Sequence, residues 1–365
     1  MALTLATATD TPRWRSAALT YARSVSGTGG ERAGPSGPAG EAGERPAGAS
    51  EGAGPRLHVV SGKGGTGKTT VAAALALALA ERGRRTLLVE VEGRQGIAQL
   101  FETQALPYEE RRIAIGPGGG EVFALAIDPE QALLDYLQMF YKLGSAGRAL
   151  RRIGAIDFAT TVAPGLRDVL LTGKACEAVR RRGADGERAY DAVVMDAPPT
   201  GRITRFLGVN HEVAGLARVG PVHHQAQAVM RVLTSAETAV HLVTLLEEMP
   251  VQETADGVAE LRAAGLPVGS VLVNMVGPAR RAAHPAGERA LARALAGAGL
   301  PDAEALAAPL LAQGREHAQR LALEERRRAE LAGLGPPVHE LPLLPEGVDL
   351  AGLYRLARLL RDLEW

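Results

Sequence analysis

Short, almost wholly apolar runs alternate with stretches of helical periodicity from residue 56 to the C-terminus. A helix rich in Ala and Leu is predicted over residues 69–81, and a second one over residues 251–264, between a proline and a Gly-Leu-Pro stop signal. Apolar strands that alternate with helices are typical of an α/β fold with a doubly wound, mostly parallel sheet. The runs that we predict to be its strands are residues 57–60, 86–91, 122–127, 190–195, 239–243, 270–273 and 339–341.

The alternation breaks over residues 128–182, where no strand pattern occurs and helical spacing dominates. Leu133 and Leu137 share one helix face, and Pro164 begins a second helix. Another helical region follows over residues 201–237. We interpret these two segments as a helical subdomain inserted beside the sheet, with ordinary crossover helices as the alternative.

The first 55 residues differ in composition from the rest of the chain. Residues 27–55 are almost entirely Gly, Ala, Pro, Ser, Glu and Arg, which bury too little apolar surface to offset the entropy of ordering. We therefore predict a disordered Gly/Ala/Pro-rich tail over residues 1–55 and one domain over residues 56–365. Lys plus Arg and Asp plus Glu both number 41, so the net charge is zero and no nucleic-acid partner is expected.

The single cysteine, Cys176, excludes an intramolecular disulfide, a zinc site made of paired cysteines of one chain, and an iron–sulfur cluster held by several cysteines of one subunit. The N-terminus lacks the basic segment and apolar run of a secretory signal. The longest apolar run, residues 71–80, is shorter than the ~18 residues that a membrane span needs. We expect a cytoplasmic protein, with peripheral association with the membrane as an alternative.

A glycine-rich loop lies between the first predicted strand and the first predicted helix. It satisfies G-x-x-x-x-G-K-[ST], in which the glycines let backbone N–H groups surround a phosphate at a helix N-terminus. Lys68 is predicted to reach the β- and γ-phosphates of a nucleotide, and Thr69 to supply a hydroxyl to Mg²⁺. A purely structural glycine turn is the alternative. The predicted nucleotide-binding residues here are Gly62, Lys63, Gly64, Gly65, Thr66, Gly67, Lys68, Thr69 and Thr70.

A carboxylate that serves the same phosphate chemistry is predicted at Asp196, directly after the apolar residues 192–195. A Walker B aspartate occupies the carboxyl end of such a strand and binds magnesium. We therefore predict Thr69 and Asp196 as the magnesium ligands, with Asp196 acting through water.

Two motifs resemble those of a known family. Residues 62–70 read GKGGTGKTT, similar to the deviant Walker A loop of one class of P-loop NTPases. The residues D-A-P-P-T-G that start at Asp196 resemble the D-T-A-P-T-G-H-T-L-R switch II of the ArsA-like ATPases, with Arg202 in place of the histidine. That family comprises arsenite-pump ATPases and the guided-entry ATPases that carry tail-anchored membrane proteins. The resemblance runs from residue 56 to the C-terminus, and it implies that Lys63 reaches across a dimer interface to the partner's nucleotide.

At switch I the family reads S-T-D-P-A-H, and its aspartate orients the attacking water. This chain reads E-V-E-G-R-Q over residues 90–95, so Glu92 stands in the aspartate's place and Gln95 in the histidine's. The resemblance gives Glu92 a catalytic role; a residue that only couples nucleotide state to shape is the alternative. Residues 91–101 look like the actinobacterial branch labelled anion-transporting ATPase. The predicted catalytic residues are Lys63, Lys68, Glu92 and Asp196.

Adenine recognition is also implied by the resemblance. Asn274 follows the predicted strand over residues 270–273, where the family places an asparagine whose amide pairs with the adenine edge. Pro342 and Leu343 follow the last predicted strand, where the family packs backbone against the base. The expected ligands are therefore ATP and Mg²⁺.

Three departures from the family narrow the expected function. One cysteine cannot gather metalloid as the arsenite pumps do, and no CxxC pair is present to hold the shared zinc of eukaryotic tail-anchored-protein carriers. Only six methionines are present, few for the methionine-rich groove of those carriers.

The resemblance implies a Mg²⁺-dependent ATPase whose dimer closes over ATP and opens on hydrolysis, in a cycle coupled to transport or membrane-protein handling. Its partner is expected to be a second copy or a paralogous ATPase, with a membrane protein or hydrophobic client as cargo. Two alternatives stay open. One is a membrane-protein chaperone or targeting factor whose slow hydrolysis times client release, and the other is the ATP-binding regulatory subunit of a paired ATPase.

Overall fold

The computed structural model describes residues 54–81, 83–141, 164–216, 221–278, 287–363 and 365. The predicted tail over residues 1–55 therefore lies outside the described residues, apart from its last two. The strands are β1 (Leu57–Gly62), β2 (Arg85–Glu90), β3 (Arg111–Ile115), β4 (Glu121–Ala126), β5 (Ala192–Asp196), β6 (Thr238–Thr244), β7 (Val268–Val276) and β8 (Val338–Pro342). The helices are α1 (Lys68–Leu79), α2 (Gly96–Leu100), α3 (Pro129–Tyr141), α4 (Pro164–Arg180), α5 (Thr200–Leu216), α6 (Pro221–Leu233), α7 (Glu248–Ala263), α8 (Glu288–Gly297), α9 (Ala303–Ala332) and α10 (Leu350–Arg361).

The strands form one sheet in the order β3-β4-β2-β5-β1-β6-β7-β8. Every neighbouring pair is parallel except β3 and β4. The first strand, β1, lies inside the sheet. Strands β2, β4 and β3 lie on one side of it, with β5 inserted between β1 and β2, and β6, β7 and β8 lie on the other side. This order confirms the predicted α/β fold with a doubly wound, mostly parallel sheet.

One strand of the sheet escaped the sequence analysis. Strand β3 pairs antiparallel with β4 at the sheet edge, and its register shifts between Arg112 and Ala114. Arg111, Arg112 and Ile115 are exposed. An edge strand with one solvated face lacks the continuous apolar run of the buried strands, and a bulge interrupts its alternation.

Helix α1 lies inside the protein. All its side chains from residue 71 to residue 79 are buried, because a helix that is apolar on every side is stable only in an interior. The helix packs against the sheet, and α10 covers it with Leu353, Leu356 and Leu360. This burial holds the N-terminus of α1, and with it Lys68, at the carboxyl edge of the sheet.

The opposite face of the sheet carries α4, α5, α6 and α7. Leu171, Phe206 and Val229, from the first three of these helices, share one core with β5 and β6. Helices α3 and α4 lie in the predicted helical segment 128–182, and α5 and α6 lie in segment 201–237. Their separation as a subdomain stays a prediction. No helix among the described residues is long and apolar enough to span a membrane.

Two histidines are buried side by side on the central strands. The backbone N–H of Ser270 donates to His241 Nδ1 at 3.1 Å, so the neutral His241 ring carries its proton on Nε2 and donates it to His58 Nδ1, also at 3.1 Å. The Trp365 ring lies edge-on to His241, with 5.1 Å between centroids. Burial lowers the pKa of His58 to about 4 and that of His241 well below its ordinary value.

These buried histidines make stability depend on pH. The unfolded chain protonates histidine near pH 6.5, whereas the folded chain does not protonate His58 until about pH 4. The free energy of unfolding should therefore fall as the pH is lowered from 6.5 to 4, by about 3 kcal/mol for His58. Urea unfolding of the wild type and of His58→Asn, measured from pH 8 to pH 4, checks this. The variant should show a shallower fall, and parallel curves would contradict the assignment.

Candidate functional site

The glycine-rich loop joins β1 to α1, and two of its glycines have positive φ angles and no room for a side chain. Gly62 has φ 154°, and a Cβ there would lie 2.2 Å from the Val243 carbonyl oxygen. Gly67 has φ 86°, and a Cβ there would lie 2.4 Å from Asn274 Nδ2. A Cβ at Gly64, in contrast, would meet no described atom within 4 Å. The two ends of the loop are therefore in close contact with β6 and β7, whereas its middle has space around it.

Internal hydrogen bonds hold the loop in this shape. The buried Thr66 donates from Oγ1 to the Lys63 carbonyl at 2.8 Å, and Asn274 donates from Nδ2 to the Thr66 carbonyl at 2.9 Å. Among the described residues, the backbone N–H groups of Gly64, Gly65 and Gly67 find no acceptor. A preformed ring of free N–H groups at a helix N-terminus fits a phosphate.

Lys68, the first residue of α1, is 9% exposed. Its ammonium forms no hydrogen bond or ion pair with any residue that the structure describes, although its charge lowers the pKa of nearby Asp196. A mostly buried cation without a bound partner is costly, and an anionic ligand removes that cost.

Asp196 ends β5 and lies across the loop from Lys68. Thr69 donates from Oγ1 to Asp196 Oδ2 at 2.7 Å, whereas the buried Oδ1 accepts no hydrogen bond from the described residues. Burial raises the pKa of Asp196 to about 6, with the charges of Glu90 and Glu92 adding to the rise. A hydroxyl beside a carboxylate with a free oxygen is the hard oxygen donor set that suits Mg²⁺.

The predicted switch I residue Glu92 lies just beyond the end of β2. Glu90, the last residue of β2, pairs in register with Asp196 on β5, so Glu92 belongs to the same edge of the sheet. Its carboxylate is partly buried and lies 3.7 Å from the Arg94 Nε atom. Sequence analysis missed Glu90, whose buried carboxylate accepts a hydrogen bond from the Gln95 backbone N–H. The available signal was a glutamate directly after the apolar residues 87–89.

Switch II connects the phosphate loop with α7. Ser61 donates from Oγ to the Pro198 carbonyl at 2.6 Å. Thr200, which begins α5, is buried, and a Cβ added at Gly257 of α7 would lie 2.4 Å from its methyl group. A movement of switch II would therefore change contacts with both β1 and α7.

The three residues predicted to contact adenine lie on β7 and next to it. Asn274 lies within β7 rather than after it, and one hydrogen of its amide is used by the phosphate loop. Pro342 ends β8, and the Leu343 backbone N–H donates to the Val276 carbonyl at 2.8 Å. Leu343 is exposed. The structure brings the three to the same side of the phosphate loop, and their contact with adenine stays a prediction.

Lys63 has a partner that the sequence did not suggest. Its ammonium donates a hydrogen bond to the carboxylate of Glu253 on α7, 190 residues away in the chain. Both side chains are about one-third exposed, at 32% and 35%. In a single chain, the lysine predicted to act across an interface is therefore bound by its own subunit.

The raised pKa of Asp196 predicts a gain in stability when its charge is removed. Its folded pKa of about 6 exceeds the ordinary 3.8. The contribution of Asp196 to the free energy of unfolding is therefore fully present below pH 3.8 and is lost as the pH rises through 6. We expect Asp196→Asn to raise the free energy of unfolding of the ligand-free chain at pH 8 by about 3 kcal/mol. The gain should vanish near pH 4. Chemical denaturation at both pH values tests this, and a variant less stable at pH 8 would contradict it.

Comparison with known proteins agrees with the geometry of the phosphate loop. The sequence profile of the anion-transporting ATPases matches residues 56–234. ATPase BagA from Mycobacterium tuberculosis is 54% identical over 317 residues, covering 84% of this chain and 93% of the relative. The arsenical pump-driving ATPase of Escherichia coli is 27% identical over 82% of this chain, which spans 48% of that relative. ATPase GET3 from Podospora anserina is 29% identical over 40% of this chain and 41% of its own length. The resemblance drawn from the two motifs is confirmed: the chain belongs to the anion-transporting ATPase family and is an ATP hydrolase.

Proposed function

We propose that the chain hydrolyses Mg²⁺-bound ATP at an interface between two ATPase subunits, in a cycle coupled to transport or to membrane-protein handling. The observation that carries the proposal is the arrangement around the phosphate loop. Within the part of the chain that the structure describes, Lys68 has no ion pair, Asp196 Oδ1 has no donor, and the backbone N–H groups between them have no acceptor. Cation, anion and amide donors in one place suit a magnesium–triphosphate ligand.

Each residue of the site has a role in this reaction. Lys68 and the loop amides hold the phosphates, and Glu92 orients the attacking water. Thr69 would hold Mg²⁺ directly and Asp196 through water; the bound ion would neutralise charge on the β- and γ-phosphates. Thr70 completes the helix end of the loop. Asn274, Pro342 and Leu343 contact the adenine, which favours ATP over other nucleotides.

Lys63 supplies its charge to the nucleotide of the partner subunit. Its pairing with Glu253 sets a condition for this role: the ammonium must leave the carboxylate of its own chain before it can reach the partner's phosphate. The chain spans about half of the Escherichia coli relative, which supports an assembly of two such units. The partner is a second copy or a paralogous ATPase. That relative is an arsenical pump-driving ATPase, which supports a role in transport.

Complementation between two inactive variants tests the shared site. Lys63→Ala should bind ATP but lose turnover by about 10³-fold, as for other cations supplied in trans, and Lys68→Ala should lose ATP binding. In an equal mixture, the mixed dimer has one intact site, formed by Lys68 of one subunit and Lys63 of the other. ATPase activity should recover to roughly a quarter of wild type, since half the dimers are mixed and each has one working site.

Dilution supplies the control for this experiment. Recovered activity should fall as the mixed sample is diluted, whereas the variants measured separately stay inactive at every concentration. A mixture as inactive as its components would show that Lys63 acts on its own subunit's nucleotide, or not at all.

The Lys63–Glu253 pair should oppose dimer formation. Glu253→Gln removes the competing charge, so we expect ATP-dependent dimerisation at up to about fivefold lower protein concentration, the range of a partly exposed ion pair. Glu248→Gln is the matched control, since Glu248 lies on the same helix and pairs with Arg327. Light scattering with ATP measures both. Equal dimerisation of the two variants would contradict the role of Glu253.

A further inference from the structure

The switch I loop, residues 91–96, is closed at its base by a buried carboxylate. Glu90 is 2% exposed, and its carboxylate accepts hydrogen bonds from the backbone N–H groups of Gln95, at 2.5 Å, and Ile97, at 3.4 Å. Glu90 precedes the loop and its hydrogen bonds reach the other end, so Glu92 lies within the segment that they close. The backbone at both ends of the loop is thereby fixed before any ligand binds.

Gln95 fixes the same loop from the other side. Its side-chain Nε2 donates to the Leu106 carbonyl at 3.1 Å, and its Oε1 accepts from the Leu106 backbone N–H at 2.7 Å. The Gln95 backbone is left-handed, with φ 58°, a conformation that a side chain other than glycine rarely adopts. Leu106 is buried in the core around α1. Two hydrogen bonds therefore anchor Gln95, whose backbone is strained, to the buried Leu106.

Leu106 belongs to a connecting segment, residues 102–110, which we call the strap. Tyr108 Oη donates to Asp135 Oδ2 of α3 at 2.9 Å, and the Lys174 ammonium of α4 lies 5.4 Å from the centroid of the Tyr108 ring. The strap is thus attached to two helices of the predicted helical segment 128–182.

The end of the strap is attached more firmly still. Arg181 donates from Nη1 to both oxygens of Glu110, at 2.7 and 2.8 Å, and Tyr190 Oη donates to Glu110 Oε2 at 2.6 Å. The side chains of Arg181 and Glu110 are largely buried, and hydrogen bonds between charged groups are strong in such surroundings. The strap is held by α3, α4 and the segment before β5, and Gln95 is its connection to switch I.

We propose that Gln95 is a positioning residue of ATP hydrolysis. Its carboxamide locks the switch I loop onto the strap, and so sets the place of Glu92 relative to Asp196 and the phosphate loop. The proposal rests on the role given to Glu92 under the proposed function. Gln95 acts after ATP is bound, because its side chain forms its hydrogen bonds with Leu106 and not with the phosphate loop. Its loss should lower kcat and leave KM unchanged.

Steady-state ATPase kinetics of the full chain test the proposal with matched variants. Gln95→Met keeps the length of the side chain and removes both hydrogen bonds to Leu106; we expect kcat to fall about tenfold with KM for ATP unchanged. Gln99→Met makes the same substitution at an exposed residue of α2, and it should leave both constants at their wild-type values. Gln95→Glu keeps the acceptor for the Leu106 N–H and loses the donor, so its kcat should lie between the two.

A double-mutant cycle separates positioning from simple stability. Tyr108→Phe removes only the hydrogen bond to Asp135, at the other side of the strap, and should lower kcat about threefold. If the strap acts as one unit, adding Tyr108→Phe to Gln95→Met costs no further activity. The proposal is overturned if Gln95→Met keeps kcat within twofold of wild type, or if the two losses multiply. If Glu92→Gln keeps full kcat, the role of Glu92 fails and the proposal that rests on it is overturned. If Glu92→Gln loses kcat while Gln95→Met keeps it, the role of Glu92 stands and only that of Gln95 fails.

Discussion

A carboxylate buried at the centre of the sheet is the constraint on which the site depends. Asp196 ends β5, between β2 and β1, so switch I and the phosphate loop meet at its side chain. Burial disfavours its charged form, and the Thr69 hydroxyl and the Lys68 charge only partly offset that cost. Under the proposed function, a metal and a phosphate would relieve this cost, because Lys68 has no ion pair and Asp196 Oδ1 no donor among the described residues.

The phosphate loop is rigid because distant parts of the chain hold it. Ser61 is bound to the Pro198 carbonyl, Thr66 to the Asn274 amide, and Lys63 to the Glu253 carboxylate. Each contact reaches a different element, namely the start of switch II, β7 and α7. The loop is therefore preorganised for a ligand and also connected to the parts that must respond when the ligand changes.

Helix α7 is the element on which two of these connections meet. It carries Glu253, the partner of Lys63, and Gly257, against which Thr200 of switch II packs. The absence of a side chain at Gly257 lets the start of α5 approach closely. On the other side of Asp196, the strap ties switch I to α3 and α4. The nucleotide site is thus connected to α7 through switch II, and to α3 and α4 through switch I and the strap.

What the sequence determined by itself is local. The seven predicted strands appear within three residues of their predicted ends, because an apolar run is a property of neighbouring residues. The phosphate loop could be predicted for the same reason, because its glycines are required by the local backbone conformation. Asp196 could be predicted because it directly follows an apolar run. Only the tertiary structure decided the contacts between Lys63 and Glu253, His58 and His241, and Asn274 and Thr66, which lie 190, 183 and 208 residues apart. Such pairs depend on which strands become neighbours and how closely helices pack on them, and no local pattern encodes that choice.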